Sequence, residues 1–158
     1  MGINKTMYEY KVKITKVVDG DTVDVDIDLG FGMVYKKQRV RLLGIDTPES
    51  RTRDLVEKLF GKASKAHLKM LLEAGNVSLI SHDKGKFGRI LGELFINDPE
   101  NPQEPQHRTS VNQQLINDHH AVEYTGANKD TTTLQHMENR EFLLNIGTVT
   151  QEQIDKVS

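Results

Sequence analysis

Residues 8–18 read YEYKVKITKVV and residues 22–29 read TVDVDIDL, and both stretches alternate apolar with polar side chains. Alternation with a period of two puts successive side chains on opposite faces of an extended strand. The apolar face of the second stretch consists of Val23, Val25, Ile27 and Leu29. We therefore predict two half-buried strands, which begin the fold.

The next segment adds a third strand and a helix. The GFG at residues 30–32 predicts a turn, and VYKKQRVRLLGI at 34–45 predicts a strand that stops before Pro48. Five apolar residues then recur at helical spacing and predict a helix, and Gly75 is suited to its C-terminal end. These residues are Leu55, Leu59, Ala63, Ala66 and Met70.

The second half of the chain completes the predicted fold. Residues 77–81 and 89–96 read as strands four and five, and the three prolines within residues 97–108 predict a solvated loop. A capping box at Ser110 and Gln113 opens a second helix, and a third follows Thr132 or Thr133. Thr150 and Gln153 offer one more cap near the end.

The order of these elements indicates the fold class. Five strands with a helix between strands three and four suit an α+β fold, a five-stranded OB-fold β-barrel with about three helices. We assign residues 1–127 to this domain and residues 128–158 to a helical extension packed on it or appended to it.

Composition excludes several classes of protein. The chain has 158 residues and a formal net charge of −2. It contains no cysteine, so disulfides, thiolate metal sites and cysteine nucleophiles are excluded. No stretch reaches the length of a membrane span, and the N-terminus lacks the apolar core of a signal peptide. We therefore expect no membrane association and, unless an export signal was removed, a cytoplasmic location.

The first chemical motif joins two strand ends. It consists of Asp19-Gly20-Asp21-Thr22 at 19–22, then Arg41, then Asp46-Thr47-Pro48-Glu49 at 46–49. Carboxylates of Asp21 and Asp46 at adjacent strand ends suit a hard divalent cation, with a backbone carbonyl and waters as further ligands. Glu49 would stand beside that ion and activate a water molecule.

The second motif is KFGR at residues 86–89, which places Arg89 at the start of strand five. Arg41 and Arg89 can each bind phosphate oxygens in a planar, two-pronged manner and stabilise the charge that develops during attack on phosphorus. Together the two motifs predict phosphodiester chemistry.

At these residues the chain resembles the thermonuclease, or staphylococcal nuclease-like, family. The resemblance runs over roughly residues 10–125. It includes DGDT at 19–22, RLLGIDTPE at 41–49, KFGR at 86–89 and VNQQLI at 111–116. It implies an OB-fold endonuclease that hydrolyses phosphodiester bonds of DNA and RNA with Ca²⁺ and leaves 3′-phosphate ends. We expect a monomer acting on single-stranded or locally unpaired substrate.

The resemblance also implies residue roles. Asp21 and Asp46 would bind calcium through carboxylates and Thr47 through its carbonyl, while the catalytic residues would be Arg41, Glu49 and Arg89. The residues that match substrate contacts are Lys86, Phe87 and Tyr124. Phe87 stands where the family usually has tyrosine, which keeps the stacking surface and removes a hydroxyl.

Other interpretations stay open from the sequence alone. The chain could be a non-catalytic nucleic-acid-binding module of the same fold, or a scaffold that binds proteins through residues 128–158. Singly, residues 19–20 could be only a hairpin turn and residues 46–49 only a helix N-cap. Asp24, Asp26 and Asp28 resemble half of an EF-hand loop, but Leu29 replaces the required glycine, which favours a solvated strand face.

Overall fold

A computed structural model describes the secondary structure of residues 8–84, 88–97, 108–126 and 129–158. The strands are β1 (Tyr8–Asp19), β2 (Thr22–Gly30), β3 (Met33–Leu42), β4 (Ile45–Asp46), β5 (Asn76–Lys84), β6 (Ile90–Asn97), β7 (Thr109–Ser110) and β8 (Val122–Glu123). The helices are α1 (Leu55–Leu72), α2 (Val111–Asn117), α3 (Lys129–Asn145) and α4 (Gln151–Val157).

The five longer strands form a closed barrel. They lie in the order β3-β2-β1-β5-β6 with antiparallel neighbours, and β3 then pairs in parallel with β6, so that Val40 lies opposite Ile90. This closure confirms the predicted α+β fold with a five-stranded OB-type barrel. None of the helices in the described part of the chain is both long and apolar enough to cross a bilayer.

The predicted third strand is wrong at its end. β3 stops at Leu42, and Gly44 adopts a left-handed φ of 81° that turns the chain out of the barrel sheet. Residues 45 and 46 then form β4, which pairs with β8 rather than with the barrel. Asp46 therefore belongs to a separate two-stranded sheet beside the barrel mouth.

Helix α1 confirms the predicted helix but not both predicted ends. The carboxylate of Asp54 caps it by accepting hydrogen bonds from the amides of Val56 and Glu57, so residues 46–49 are not its N-cap. The helix ends at Leu72, before Gly75. A Cβ on Gly75 would lie 2.7 Å from the carbonyl oxygen of Asn97, so this glycine permits close approach to β6 and does not cap α1.

The later helices follow the predicted caps. The Ser110 hydroxyl accepts a hydrogen bond from the Gln113 amide at the start of α2, and Thr150 and Gln153 form a reciprocal capping box at the start of α4. α3 begins at Lys129, three residues earlier than Thr132. The proline-rich loop prediction falls mainly on residues 98–107, outside the described residues.

Two apolar clusters hold these elements together. The larger fills the barrel and is covered by α1 and α2; its fully buried members include Val23, Val25, Val40, Leu42, Leu68, Leu79, Leu94, Val111 and Leu115. In the smaller cluster, Phe60 of α1 packs with Leu143 of α3 and with Val149 before α4. The C-terminal helices therefore contact the helix that follows the 46–49 segment.

The aspartates of β2 lie on a strand face, as predicted. Asp24 forms a two-pronged ion pair with Arg39 on β3, with nitrogen to oxygen distances of 2.8 and 3.1 Å. This hydrogen bonding, more than any other interaction, lowers the pKa of Asp24. Asp26 and Asp28 accept hydrogen bonds from backbone amides of the same hairpin.

Candidate active site

Asp21 lies in the two-residue turn that joins β1 to β2 and is 7% exposed. Its Oδ1 accepts a hydrogen bond from the Thr22 hydroxyl at 3.0 Å, and its Oδ2 accepts one from the Thr47 amide at 3.3 Å. Its backbone oxygen accepts a hydrogen bond from the Leu42 amide at 2.8 Å. The Asp21 residue thus ties the hairpin turn to the end of β3 and to the 46–49 segment.

Arg41 stands between two carboxylates. It is the second-to-last residue of β3, where it pairs with Thr22. Its Nη2 lies 3.3 Å from Asp21 Oδ2 and 3.7 Å from Asp46 Oδ1, and its Nη1 donates to the Leu42 carbonyl. The structure therefore brings together three of the predicted site residues. In the sequence, Arg41 follows Asp21 by 20 positions and Asp46 follows it by 25.

Helix α3 adds a residue that the sequence analysis missed. The Nε2 atom of His136 lies 2.9 Å from the Oδ2 atom of Asp46, and its side chain is 16% exposed. The two residues are 90 positions apart, and an isolated histidine on a helix of weak periodicity gives no local signal. His136 therefore holds the second carboxylate oxygen of Asp46, while Arg41 faces the first.

Glu49 is exposed, whereas Thr47 and Ser50 in the same segment are buried. Its amide donates a hydrogen bond to Glu57 of α1 at 2.9 Å, and the next residue, Ser50, hydrogen-bonds to Asp19. Partial desolvation of the Glu49 carboxyl, followed by repulsion from the carboxylates of Asp21 and Asp19, raises its pKa. Its carboxyl is therefore part of the same acidic group as Asp21 and Asp46.

The segment that carries Glu49 rests directly on α1. Gly61 faces its backbone, and a Cβ at Gly61 would lie 2.2 Å from the Glu49 carbonyl oxygen and 2.6 Å from the Ser50 nitrogen. Only the absence of a side chain lets the helix approach this closely. Gly61 is thus a second residue that sequence periodicity did not single out.

Tyr124 shares a cavity with the acidic segment. The cavity has a volume of about 400 Å³, and its walls include Asp46, Thr47, Glu49 and Tyr124. The opposite wall comes from α3, through Lys129, Thr133, His136, Met137 and Arg140. The Tyr124 amide donates a hydrogen bond to the Gly44 carbonyl, which fixes this residue beside β4.

The remaining predicted residues are less closely connected. Arg89 directly precedes β6, the strand in which Leu91 pairs with Arg41. Arg89 takes no part in the ion pairs found within the described ranges. Lys86 and Phe87 lie outside the described residues.

Comparison with known proteins identifies the family. The family described as staphylococcal nuclease homologue matches residues 39–143 of this chain. The chain belongs to the staphylococcal nuclease-like family. A thermonuclease of Staphylococcus intermedius is 34% identical over 88 residues, covering 54% of this chain and 48% of the relative.

Other relatives are similar to this staphylococcal nuclease-like chain over a similar share of its length. An uncharacterized Bacillus anthracis protein is 36% identical over 97 residues, covering 59% of this chain and 42% of the relative. Endonuclease YncB of Bacillus subtilis is 31% identical over 92 residues, covering 54% of this chain and 39% of the relative. The chain thus spans less than half the length of these curated relatives.

The donor chemistry of this staphylococcal nuclease-like site suits a hard cation. Among residues 8–84, 88–97, 108–126 and 129–158, no three His, Asp or Glu side chains are arranged as a ready-made metal cluster. Two carboxylates, Asp21 and Asp46, nevertheless converge on one guanidinium, and partial desolvation together with repulsion from the neighbouring acids raises the pKa of Glu49. Carboxylate oxygen donors suit a hard divalent cation better than a softer metal.

A group of histidines lies between α1 and the end of α2. His120 is only 5% exposed and stacks on the ring of His67, with 4.3 Å between the ring centroids. Burial, more than the neighbouring charges, lowers the pKa of His120 to about 4. His67 in turn hydrogen-bonds to Asp118 at 2.7 Å, so this cluster joins α1 to the end of α2.

Proposed function

We propose that this protein is a calcium-dependent endonuclease that hydrolyses phosphodiester bonds of DNA and RNA and leaves 3′-phosphate ends. The observation that carries the proposal is the convergence of Asp21, Arg41 and Asp46 at one end of the barrel, with Glu49 beside them. Membership of the staphylococcal nuclease-like family supports nucleic acid as the substrate.

The reaction we propose is an in-line hydrolysis. Glu49 accepts a proton from a water molecule whose oxygen forms a new bond to phosphorus. Arg41 and Arg89 donate hydrogen bonds to the phosphate oxygens as their charge increases. The bond between phosphorus and the 5′ oxygen then breaks, and this oxygen leaves as a hydroxyl after taking up a proton.

A calcium ion would be held by the carboxylates of Asp21 and Asp46 and by the carbonyl of Thr47. When bound, it would supply positive charge that offsets the charge developing on the phosphate. The Thr47 residue is 3% exposed and its amide binds Asp21, which favours a fixed position for its carbonyl. Residue His136 orients the Asp46 carboxylate from the other side.

Substrate contacts are proposed for Lys86, Phe87 and Tyr124. The position of Tyr124 in the cavity beside Glu49 supports its part in this assignment. An aromatic ring suits stacking on an unpaired base, which is why we propose single-stranded or locally unpaired regions as the preferred substrate. A monomer in the cytoplasm stays our expectation.

The domain arrangement is also a proposal. We assign residues 1–127 to the nuclease domain and residues 128–158 to an extension packed on it. Contacts of Leu143 and Val149 with Phe60 support the packed arrangement. The wall that α3 contributes to the cavity supports a part for the extension in shaping the site.

The test is cleavage of plasmid DNA and of RNA by the purified protein, with calcium or with excess chelator. We expect cleavage only with calcium, and 3′-phosphate ends on the products. Glu49→Gln should lower turnover by about 10² or more while substrate binding, measured separately, stays close to the parent. Full cleavage in chelator would refute the calcium site, and binding without any cleavage would favour the non-catalytic module.

A further inference from the structure

A second groove lies between β1 and α1, away from the acidic cavity. Its volume is about 740 Å³, and its floor is apolar, formed by side chains such as Val12, Ile14 and Leu72. Four of the residues along it are lysines: Lys16, Lys62, Lys65 and Lys69. Glu73 is the acidic residue at its edge. An apolar groove bordered by this many cations is complementary to a polyanion.

The lysines of α1 form a stripe along the helix. Lys58, Lys62, Lys65 and Lys69 follow the i, i+4, i+7, i+11 spacing that places residues on one helix face. Within the described ranges none of these four takes part in an ion pair. Their charges are therefore available to a ligand.

Charge is concentrated in this part of the sequence. Residues 51–69 contain six Lys or Arg residues and two acidic residues, a formal net charge of +4 in a chain whose total is −2. A local field of this sign attracts phosphates even on a protein that is acidic overall. The basic segment begins directly after the acidic segment that ends at Ser50.

At one end, both walls of the groove lead along the chain toward the candidate active site. Its α1 wall begins at Lys62, next to Gly61, whose backbone packs against the Glu49 carbonyl. Its β1 wall leads along the same strand to Asp19, which hydrogen-bonds to Ser50. A chain lying in the groove would therefore approach the segment that carries Glu49.

We propose that this groove binds the sugar-phosphate backbone of a polynucleotide strand beyond the bond that is cleaved. The choice of a polynucleotide rests on the proposed nuclease function. From Lys62 to Lys69 the α1 wall of the groove spans about 10 Å, roughly the rise of three nucleotides along one strand. The groove contains aliphatic rather than aromatic floor residues, so it binds the backbone and not particular bases.

The experiment measures binding rather than cleavage. Fluorescence anisotropy in excess chelator would follow a labelled 12-nucleotide thymidine strand and a 3-nucleotide strand at several salt concentrations. The groove variant Lys62→Gln/Lys65→Gln/Lys69→Gln should bind the 12-nucleotide strand about tenfold or more weakly and lower the salt slope of log K by about 2. Binding of the 3-nucleotide strand should not change.

A matched control carries the same charge change elsewhere. Lys11→Gln/Lys13→Gln/Lys36→Gln removes three exposed lysines that do not line the groove, and should bind like the parent. Circular dichroism would check that all variants are folded. Replacing the three groove lysines by arginine keeps the charge and should restore binding if the glutamine variant is impaired only in recognition.

Two results would overturn the proposal. Equal affinity and salt slope for the groove variant and the control would show that the groove does not contact the strand. Displacement of the 12-nucleotide strand by polyglutamate of equal charge, at equal concentration, would show that the groove is a docking site for acidic protein segments. Both results are independent of cleavage, so they are distinct from failure of the proposed nuclease activity.

Discussion

The contact between Gly61 and the Glu49 backbone allows a test of how the fold positions the proposed base. In Gly61→Ala the new Cβ would lie 2.2 Å from the Glu49 carbonyl oxygen and 2.4 Å from its carbonyl carbon. Backbone atoms cannot rotate away as a side chain can, so the segment or the helix must move by about 1 Å to reach ordinary contact distance.

The expected effects on stability and on activity differ. Overpacking costs about 1–3 kcal/mol, whereas alanine favours the helix over glycine by about 1 kcal/mol, so the free energy of unfolding should fall by only about 0–2 kcal/mol. Displacement of a catalytic group by about 1 Å can lower the rate by about 10². Gly61→Ala should therefore lose far more activity than stability.

The assay combines urea unfolding with single-turnover cleavage of plasmid DNA. Ile27→Val serves as the control, because it removes one methylene from the barrel core and costs about 0.5–1.5 kcal/mol without touching the Glu49 segment. We expect the control to cleave at nearly the parent rate. Parent-like cleavage by Gly61→Ala would refute the reasoning that this close contact positions Glu49.

Three further outcomes are expected. Arg41→Lys and Arg89→Lys should each lower the cleavage rate by about 10² with unchanged circular dichroism, because lysine lacks the planar fork; near-parent rates for both would leave the arginines with only a charge role. His136→Ala should weaken calcium binding, measured by calorimetry, by about tenfold or more, since it frees the carboxylate that His136 orients, and unchanged affinity would contradict that role. The folded-state pKa of His120 is about 4, below its ordinary value of 6.5, so the unfolded state binds more protons than the folded state between these pH values. The free energy of unfolding should therefore fall by up to about 3 kcal/mol as pH decreases from 6.5 to 4. His120→Gln should flatten this part of the stability curve in urea titrations, and a parent-like slope would assign it to other groups.

Much of the fold follows from local patterns. The alternation in residues 22–29 predicted β2, whose burial alternates in the same way from Val23 to Ile27, whereas Leu29 is exposed. The spacing from Leu55 to Met70 predicted that α1 is a helix, but not which face it buries. Leu55 and Met70 are exposed, and the residues that α1 buries are Phe60, Gly61, Ser64, Leu68 and Leu72. Such patterns depend on neighbours in the chain, so the sequence alone was sufficient for them.

Part of the site was also accessible from the sequence. The prediction that Asp21, Arg41 and Asp46 lie together depended on placing three strand ends at one edge, and the ion pairs of Arg41 agree with it. The resemblance to a nuclease family supplied their proposed roles. Residue types and strand order were sufficient to predict this arrangement, because the turn between β1 and β2 is only two residues long and keeps Asp21 at the strand ends.

Other features were decided only by tertiary structure. The break at Gly44 places Asp46 in a separate sheet, and this lets His136 reach it across 90 positions of sequence. Gly61 shows its importance only where α1 touches the Glu49 backbone, and the lysines of α1 form a groove only because β1 supplies the other wall. Each of these features is a contact between segments distant in the chain. The energy of such a contact depends on where the barrel closes, which no local pattern specifies.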